Sequence, residues 1–461
     1  MAINICKSFF SIAAFFFLAL SSLPAQNDEK TGGMPQGVLS SGRTGSSGAI
    51  WLTQGNPGPY TLTELSDWSR YENGKYIGHV YREIRASILP QEAEAGSFLE
   101  YRGNFFVLEE TLRDMRQSAR GLDAVIPVNF RVSRSGSLTV IDDKGFPSLR
   151  GFPSYPAEPV RPGAKWTSEG SRAVDPLNQG RPVIVPLIAE YEYRGTELYR
   201  DIPVHRIHAQ YASRYQAGSA RSSRLGAQNG QKPAGDDFQS LQGAHTVDIL
   251  LRVSDGLPLL IRDNLDETFT WPGGGTLRFR GFTLTFGQGI VPLDRKASII
   301  ALADTLHIKV PEEEKVPEDR GRSGAVKPSS SLPIQGEDPS LDITPVPEGI
   351  RLTLRDLRFA PDSADLLPGE KARLDAMAQA LQGFPDRTFL VEGHTASVGR
   401  PQSEMQLSVE RAQSIVTELV TRGIPADRFI YKGSGGTKPV GDNSGEEGRR
   451  LNRRVEITIL E

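Results

Sequence analysis

The chain has 461 residues, enough for two or three domains, and a formal net charge of −3 that leaves no basic stripe for a nucleic-acid partner. Its 47 Gly and 32 Pro require many turns and at least one linker. The only cysteine is Cys6, so there can be no disulfide within the chain and no cysteine cluster for a metal.

The first 25 residues read as an export signal. Lys7 supplies a positive start, Phe9 to Leu20 form a short apolar run, and Ser21-Ser22-Leu23-Pro24-Ala25 offers small residues for cleavage after Ala25. A bilayer span needs about 20 apolar residues, so an uncleaved anchor is the weaker alternative. Cys6 precedes the apolar run and cannot be a cysteine acylated after cleavage. With the signal removed, the chain would contain no cysteine and no thiol nucleophile. Residues 26–49 are rich in Gly, Ser, Asn and Lys, and their few apolar side chains cannot offset the entropy of ordering. They are expected to be a flexible lead-in.

Residues 50–305 read as a β-rich, antiparallel region, either one domain or two divided near 156–163. Val183-Ile184-Val185-Pro186-Leu187-Ile188 continues into Glu190-Tyr191-Glu192-Tyr193. Leu277 to Phe286 alternates apolar with polar over most of its length, as a half-buried strand does. Asp255-Gly256 and Pro272-Gly273-Gly274-Gly275 mark turns. A helical insert is expected near 109–120 and a long loop at 216–237. His205 and His208 stand three apart in a strand, which sets them on opposite faces. The four tryptophans read as packing rather than as a carbohydrate platform. The runs lack the lipid-facing alternation and aromatic girdles of a membrane barrel. No nucleophile elbow, His-Glu zinc motif or other catalytic set appears, and no metal or cofactor is expected.

A Pro-, Glu- and Ser-rich linker is expected over 306–341. Residues 342–461 then read as an α+β domain of order β-α-β-α-β-β, with helices on one face of a mixed sheet. Ile350 to Leu354 and Thr388 to Glu392 are strands, and Leu374, Met377, Ala378 and Leu381 recur at helical spacing. Ser403-x-x-Gln406 reads as a capping box for a second helix whose buried stripe is Ala412, Ile415, Val416 and Leu419. Arg428 to Lys432 and Val455 to Leu460 complete the strands.

Several motifs follow in order through this stretch. They are Phe359-x-x-x-Ser363-x-x-Leu366, Val391-Glu392-Gly393-His394-Thr395, Leu407-Ser408-x-x-Arg411-Ala412, Gly433-x-Gly435-x-x-x-Pro439, and Asn452-Arg453-Arg454-Val455-Glu456. Together they resemble the C-terminal peptidoglycan-binding domain of the OmpA family, which holds the diamino acid of the wall stem peptide. The resemblance covers about 341–461. It implies a ligand site at Phe359, Thr395, Ala396, Glu404, Leu407, Arg411 and Arg453, with peptidoglycan as partner. The family pattern continues Gly-His-Thr-Asp, whereas this chain has Ala396, and Glu404 stands where the family usually has Asn.

A diamino acid needs an acceptor for its ammonium and a fork donor for its carboxylate. Arg411 offers the fork. Ala396 offers no acceptor, while Glu404 could replace the missing acid or quench Arg411. For Arg411 a structural ion pair rivals ligand contact, and for Asn452-Arg453-Arg454 bridging of loops does the same. His394 is expected to bond locally, since no second metal ligand neighbours it in sequence.

Three function classes follow. The first is a non-enzymatic envelope protein, periplasmic or associated with the outer membrane, that docks on peptidoglycan and uses its β-rich region toward envelope proteins. The second is an adaptor whose OmpA-like domain has lost wall binding and contacts protein partners. The third, with no motif to support it, is a wall-acting enzyme.

Overall fold

The computed structural model describes residues 48–53, 55, 58–91, 98–108, 110–112, 119–218, 238–308, 334–335, 340–360 and 363–461. The expected export signal, nearly all of the lead-in, most of the linker, residues 113–118 of the expected helical insert and 219–237 of the expected loop lie outside them. No described helix is long and apolar enough to cross a membrane.

Alternating and β-branched runs form long strands, as the sequence predicts. They are β1 (Tyr60–Glu72), β2 (Lys75–Pro90), β3 (Phe98–Leu108), β4 (Thr111–Leu112), β5 (Arg120–Ser133), β6 (Leu138–Val140) and β7 (Leu149–Arg150). They continue as β8 (Lys165–Val174), β9 (Val183–Tyr199), β10 (Ile202–Gln216), β11 (Ser240–Arg252), β12 (Pro258–Thr270) and β13 (Thr276–Gly289). Thr111 and Leu112 lie in a strand, which corrects the helix expected from 109 onward.

The pairing is antiparallel in the spatial order β6-β5-β3-β2-β1-β13-β12-β11-β10-β9-β8-β7, with β4 on β2. Directly paired residues share a face, so the register defines an inner side. Tyr211 pairs with His245, Val247 with Asp263, Glu267 with Phe279, Thr283 with Ser66, and Ser66 with Arg82. Most of this side is apolar and fills three cores, around Tyr191 and Ile249, around Tyr101 and Phe130, and around Phe269 and Phe279. The opposite side carries Glu190, Arg194, Arg206, Arg262, Asp266 and Arg280. Such a charged face suits water and would be costly against lipid.

After β13 comes helix α1 (Arg295–Thr305), capped by the Asp294 carboxylate, which accepts from the Ala297 N–H. Its number places it at the end of the β-rich stretch, yet Leu302 and Ala303 pack into the C-terminal core. The C-terminal region comprises β14 (Ile334–Gln335), β15 (Leu341–Val346), β16 (Gly349–Arg355), α2 (Lys371–Gln382), β17 (Phe389–Gly393), α3 (Pro401–Thr421), β18 (Phe429–Gly433), α4 (Glu446–Asn452) and β19 (Arg454–Leu460). The sheet is mixed, in the order β14-β15-β16-β19-β17-β18, and only β17 and β18 run parallel. Strand β15 and helix α4 are additions to the β-α-β-α-β-β order read from the sequence.

Every residue of β17 and β19 is buried, because both faces of this part of the sheet are covered. Phe389 and Val391 pack with the helices, while Leu390, Ile430 and Leu460 meet Phe106, Leu108 and Leu122 of the β-rich region. Strand β18 also pairs in parallel with the start of β5, through Ile430 with Arg120 and Tyr431 with Gly121. The two regions therefore share a continuous run of backbone hydrogen bonds.

Candidate functional site

The helix α3 begins two residues earlier than the Ser403 start expected from the capping box. Pro401 takes the first helical position, where its missing N–H is no loss. Glu404 reaches back to the loop before the helix, its carboxylate accepting from the N–H groups of Val398 at 2.7 Å and Arg400 at 3.0 Å. The expected stripe of Ala412, Ile415, Val416 and Leu419 is buried. Ser408 is fully buried. Its hydroxyl donates to the Met405 carbonyl at 2.6 Å and accepts from the Gly435 N–H at 2.9 Å. A Cβ on Gly433 would lie 2.2 Å from the Ser408 Oγ and 2.6 Å from the Val409 N, so the turn from Gly433 to Gly435 packs backbone directly on α3.

On this frame the side chains named from the sequence fall into separate groups. The Arg411 guanidinium sits 4.7 Å above the Phe359 ring, and its Nε donates to the Ser363 carbonyl at 3.3 Å. This places a half-buried cation on an aromatic face, tied to the segment that leads into α2. The Thr395 N–H donates to the Gly435 carbonyl at 2.9 Å, while its hydroxyl oxygen is buried without a hydrogen-bond partner. Ala396 beside it is a buried methyl group. Leu407 is half-buried on α3. The loop that follows Ala396 is fixed from two sides, by Glu404 and by Asn443, whose side-chain oxygen accepts from the Ser397 N–H at 3.0 Å.

Asn452 is fully buried and ties this wall together. Its side-chain oxygen accepts from Val440 and Gly441, and its amide donates to the Gly441 carbonyl and to the Asn443 side chain. Arg454 pairs with Glu456 at 2.7 Å, and Arg453 pairs with Glu446 at 2.6 Å. The structure thus brings Phe359 and Arg411 together, turns the Glu404 carboxylate into the loop, and engages Arg453 with α4.

Beneath Thr395 lies a buried ionic group that the sequence reading missed. His394 stands 3.8 Å from Glu392, two residues earlier in the chain, and 3.6 Å from Glu456, which the antiparallel pairing of β17 with β19 brings alongside. The set has the spacing of metal ligands. Its carboxylates are already neutralised, however: Glu392 by Lys432 at 3.1 Å and Lys438 at 2.7 Å, Glu456 by Arg351 at 3.2 Å and Arg454 at 2.7 Å. A divalent ion would have to displace those cations, so the donor set does not fit a resident metal. Burial alone would raise the Glu392 pKa, but Lys432, Lys438 and the Ser434 hydroxyl pull it down to about 2. Glu456 is likewise held well below the usual carboxylate range, against burial, by His394, Arg351 and Arg454.

A second buried ionic group lies on the inner side of the β-rich sheet. Arg172 forms a two-pronged pair with Glu267, both contacts at 2.7 Å. The His245 ring bonds Glu267 through Nε2 at 2.9 Å and Asp263 through Nδ1, while the Tyr211 hydroxyl donates to Asp263 and its ring stacks on His245 at 4.1 Å. Burial opposes a charge on His245, but its two carboxylate partners outweigh that and raise its pKa. The available sequence signal was parity. Asp263 and Glu267 alternate with Ile261, Leu265 and Phe269 on what must be the apolar side of β12. His205 and His208 do not join this group. His205 meets Tyr193 and Thr196, and His208 meets Asp248.

Residues 358–453 match the model of the OmpA family. The C-terminal region is therefore an OmpA-like domain, as its motifs imply, and the match leaves the β-rich strands outside it. Among curated proteins, the chain is 39% identical over 101 residues to "Probable lipoprotein YiaD" of Escherichia coli, which is 22% of this chain and 46% of that protein. It is 34% identical over 103 residues to the "Peptidoglycan-binding protein ArfA" of Mycobacterium tuberculosis, covering 22% and 32%. It is 37% identical over 105 residues to "Outer membrane protein A" of Bordetella avium, covering 23% and 54%. The chain thus spans from about a third to about a half of the length of these relatives. Among solved structures, the cell wall anchor of the T6SS from Pseudomonas aeruginosa is 30% identical, with 27% of this chain and 90% of that chain covered and a TM-score of 0.25.

Proposed function

We propose that this is a non-enzymatic cell-envelope protein whose OmpA-like domain docks on peptidoglycan by reading a stem-peptide carboxylate and leaving the neighbouring ammonium unread. The observation that carries this reading is Arg411, held over Phe359 at 4.7 Å beside a wall in which position 396 is a buried methyl. A guanidinium held on an aromatic face is fixed in place with little side-chain entropy left to lose, and its charge and planar shape suit a carboxylate. The ammonium side has no acid at 396, and Glu404 already accepts from two backbone N–H groups. Support for the wall as partner comes from the relatives named as peptidoglycan-binding and outer-membrane proteins. The same names, with the export signal read from the sequence, support an envelope location.

The test is co-sedimentation of the full chain with purified sacculi. Wild type is expected in the pellet, and Arg411→Ala in the supernatant with unchanged circular dichroism. If Arg411→Ala pellets as well as wild type, the carboxylate reading fails. A second reading, an adaptor that contacts protein partners and no longer binds wall, is favoured by the Glu404 geometry. It is supported if wild type itself stays in the supernatant while Ala396→Asp pellets.

A further inference from the structure

A cavity of about 270 Å³ lies on the inner side of the β-rich sheet, lined from β1, β2, β3, β5, β6, β7, β8, β10, β12 and β13. Two features of the lining point to an occupant. One end is aromatic and aliphatic, with Tyr60, Leu62, Phe105, Phe130 and Ile261. The middle is crossed by a belt of ionisable groups.

Part of that belt is satisfied internally, since Arg172, Glu267, His245, Asp263 and Tyr211 bond to one another. Other members are not. The Arg82 Nε and the Trp68 Nε1 are buried donors without a hydrogen-bond partner, and both residues line the cavity. A buried donor left unmade costs on the order of 1–3 kcal/mol, so a cavity that keeps two is arranged for an acceptor. Glu64 lines the same wall, where burial raises its pKa against the opposing pull of Arg82 and Arg172.

We infer that this cavity binds a single-chain amphiphile with a carboxylate head, the head at Arg82 and Trp68 and the apolar chain along Tyr60, Leu62, Phe105 and Phe130. The volume, about 270 Å³, lies just below the roughly 300–1,000 Å³ of small-molecule pockets, which suits one chain and not a two-chain lipid. Loops carrying Gly136, Pro147, Pro153 and Asn178 frame the cavity on one side. Arg150 holds the 143–153 loop closed on itself, bonding both oxygens of Asp143 at 2.6 Å and the Pro147 carbonyl at 3.0 Å.

The experiment is calorimetric titration of the delipidated full chain with dodecanoate and, separately, with dodecyltrimethylammonium, both below their micelle concentrations. Dodecanoate is expected to bind one to one, at least tenfold tighter than the cationic amphiphile. Arg82→Gln should lower dodecanoate affinity at least tenfold and erase the preference, with circular dichroism unchanged. Thr285→Trp, which fills the lumen without touching the belt's bonds, should abolish binding of both. The inference is overturned if wild type binds neither amphiphile, if it binds both equally, if Arg82→Gln keeps the preference, or if folded Thr285→Trp binds as wild type does.

Discussion

The Glu404 carboxylate accepts from Val398 and Arg400, so its removal acts on the loop that shapes the site before it acts on any ligand. Glu404→Ala should cost about 1–2 kcal/mol, the size of a lost hydrogen bond to a charged group, read as a lower denaturant midpoint with unchanged slope. An unchanged midpoint would mean that the loop holds itself. At this scale the sequence shows residue type far better than residue direction. Arg411 and Phe359 were legible because α3's spacing and the motif order place them. The role of Glu404 was not, since it depends on a loop turning back over Pro401. Nor was the ionic group at His394, whose acids come from residues 392 and 456, adjacent only because β17 lies beside β19.

Strands β17 and β19 are buried on both faces, and their polar residues survive there only as paired ions. The Glu392 pKa, about 2 in the folded chain against an ordinary 4.5, fixes the sign of its effect. Its stabilisation is complete above pH 4.5 and is lost as pH falls through about 2, on the order of 3 kcal/mol in all. Denaturant midpoints measured from pH 7 to pH 2 should fall across that window, and Glu392→Gln should flatten the fall. A profile equally steep in the variant would assign the acid sensitivity elsewhere. The strands and the two long helices were legible from period and punctuation. The second covered face was not, because alternation predicts one buried side and gives no hint that Leu390, Ile430 and Leu460 would meet residues 106–122. Helix α1 was missed for a related reason, since its partners lie in the C-terminal core.

At the scale of the molecule, the β5–β18 pairing and the cluster around Leu122 and Leu390 join the OmpA-like domain to the β-rich sheet. Leu122→Asp buries an unpaired charge at that junction. It should split calorimetric unfolding into two transitions, where wild type is expected to show one. A single transition in the variant would show that the junction does not couple the two regions. The antiparallel region was legible as a class, but its spatial order, its inner belt and its cavity arise from pairings as distant as β1 with β13, which no local pattern reports. The central claim is that the site reads a carboxylate and ignores the adjacent amine. It is tested most directly by calorimetric titration of the full chain with a diamino-acid stem peptide and with the same peptide acetylated on its side-chain amine. The account predicts equal affinity for the two in wild type, and a preference of about 10–100-fold for the free amine in Ala396→Asp, the worth of one charge-assisted hydrogen bond. A wild-type protein that loses tenfold or more on acetylation, or that binds neither peptide, would contradict it.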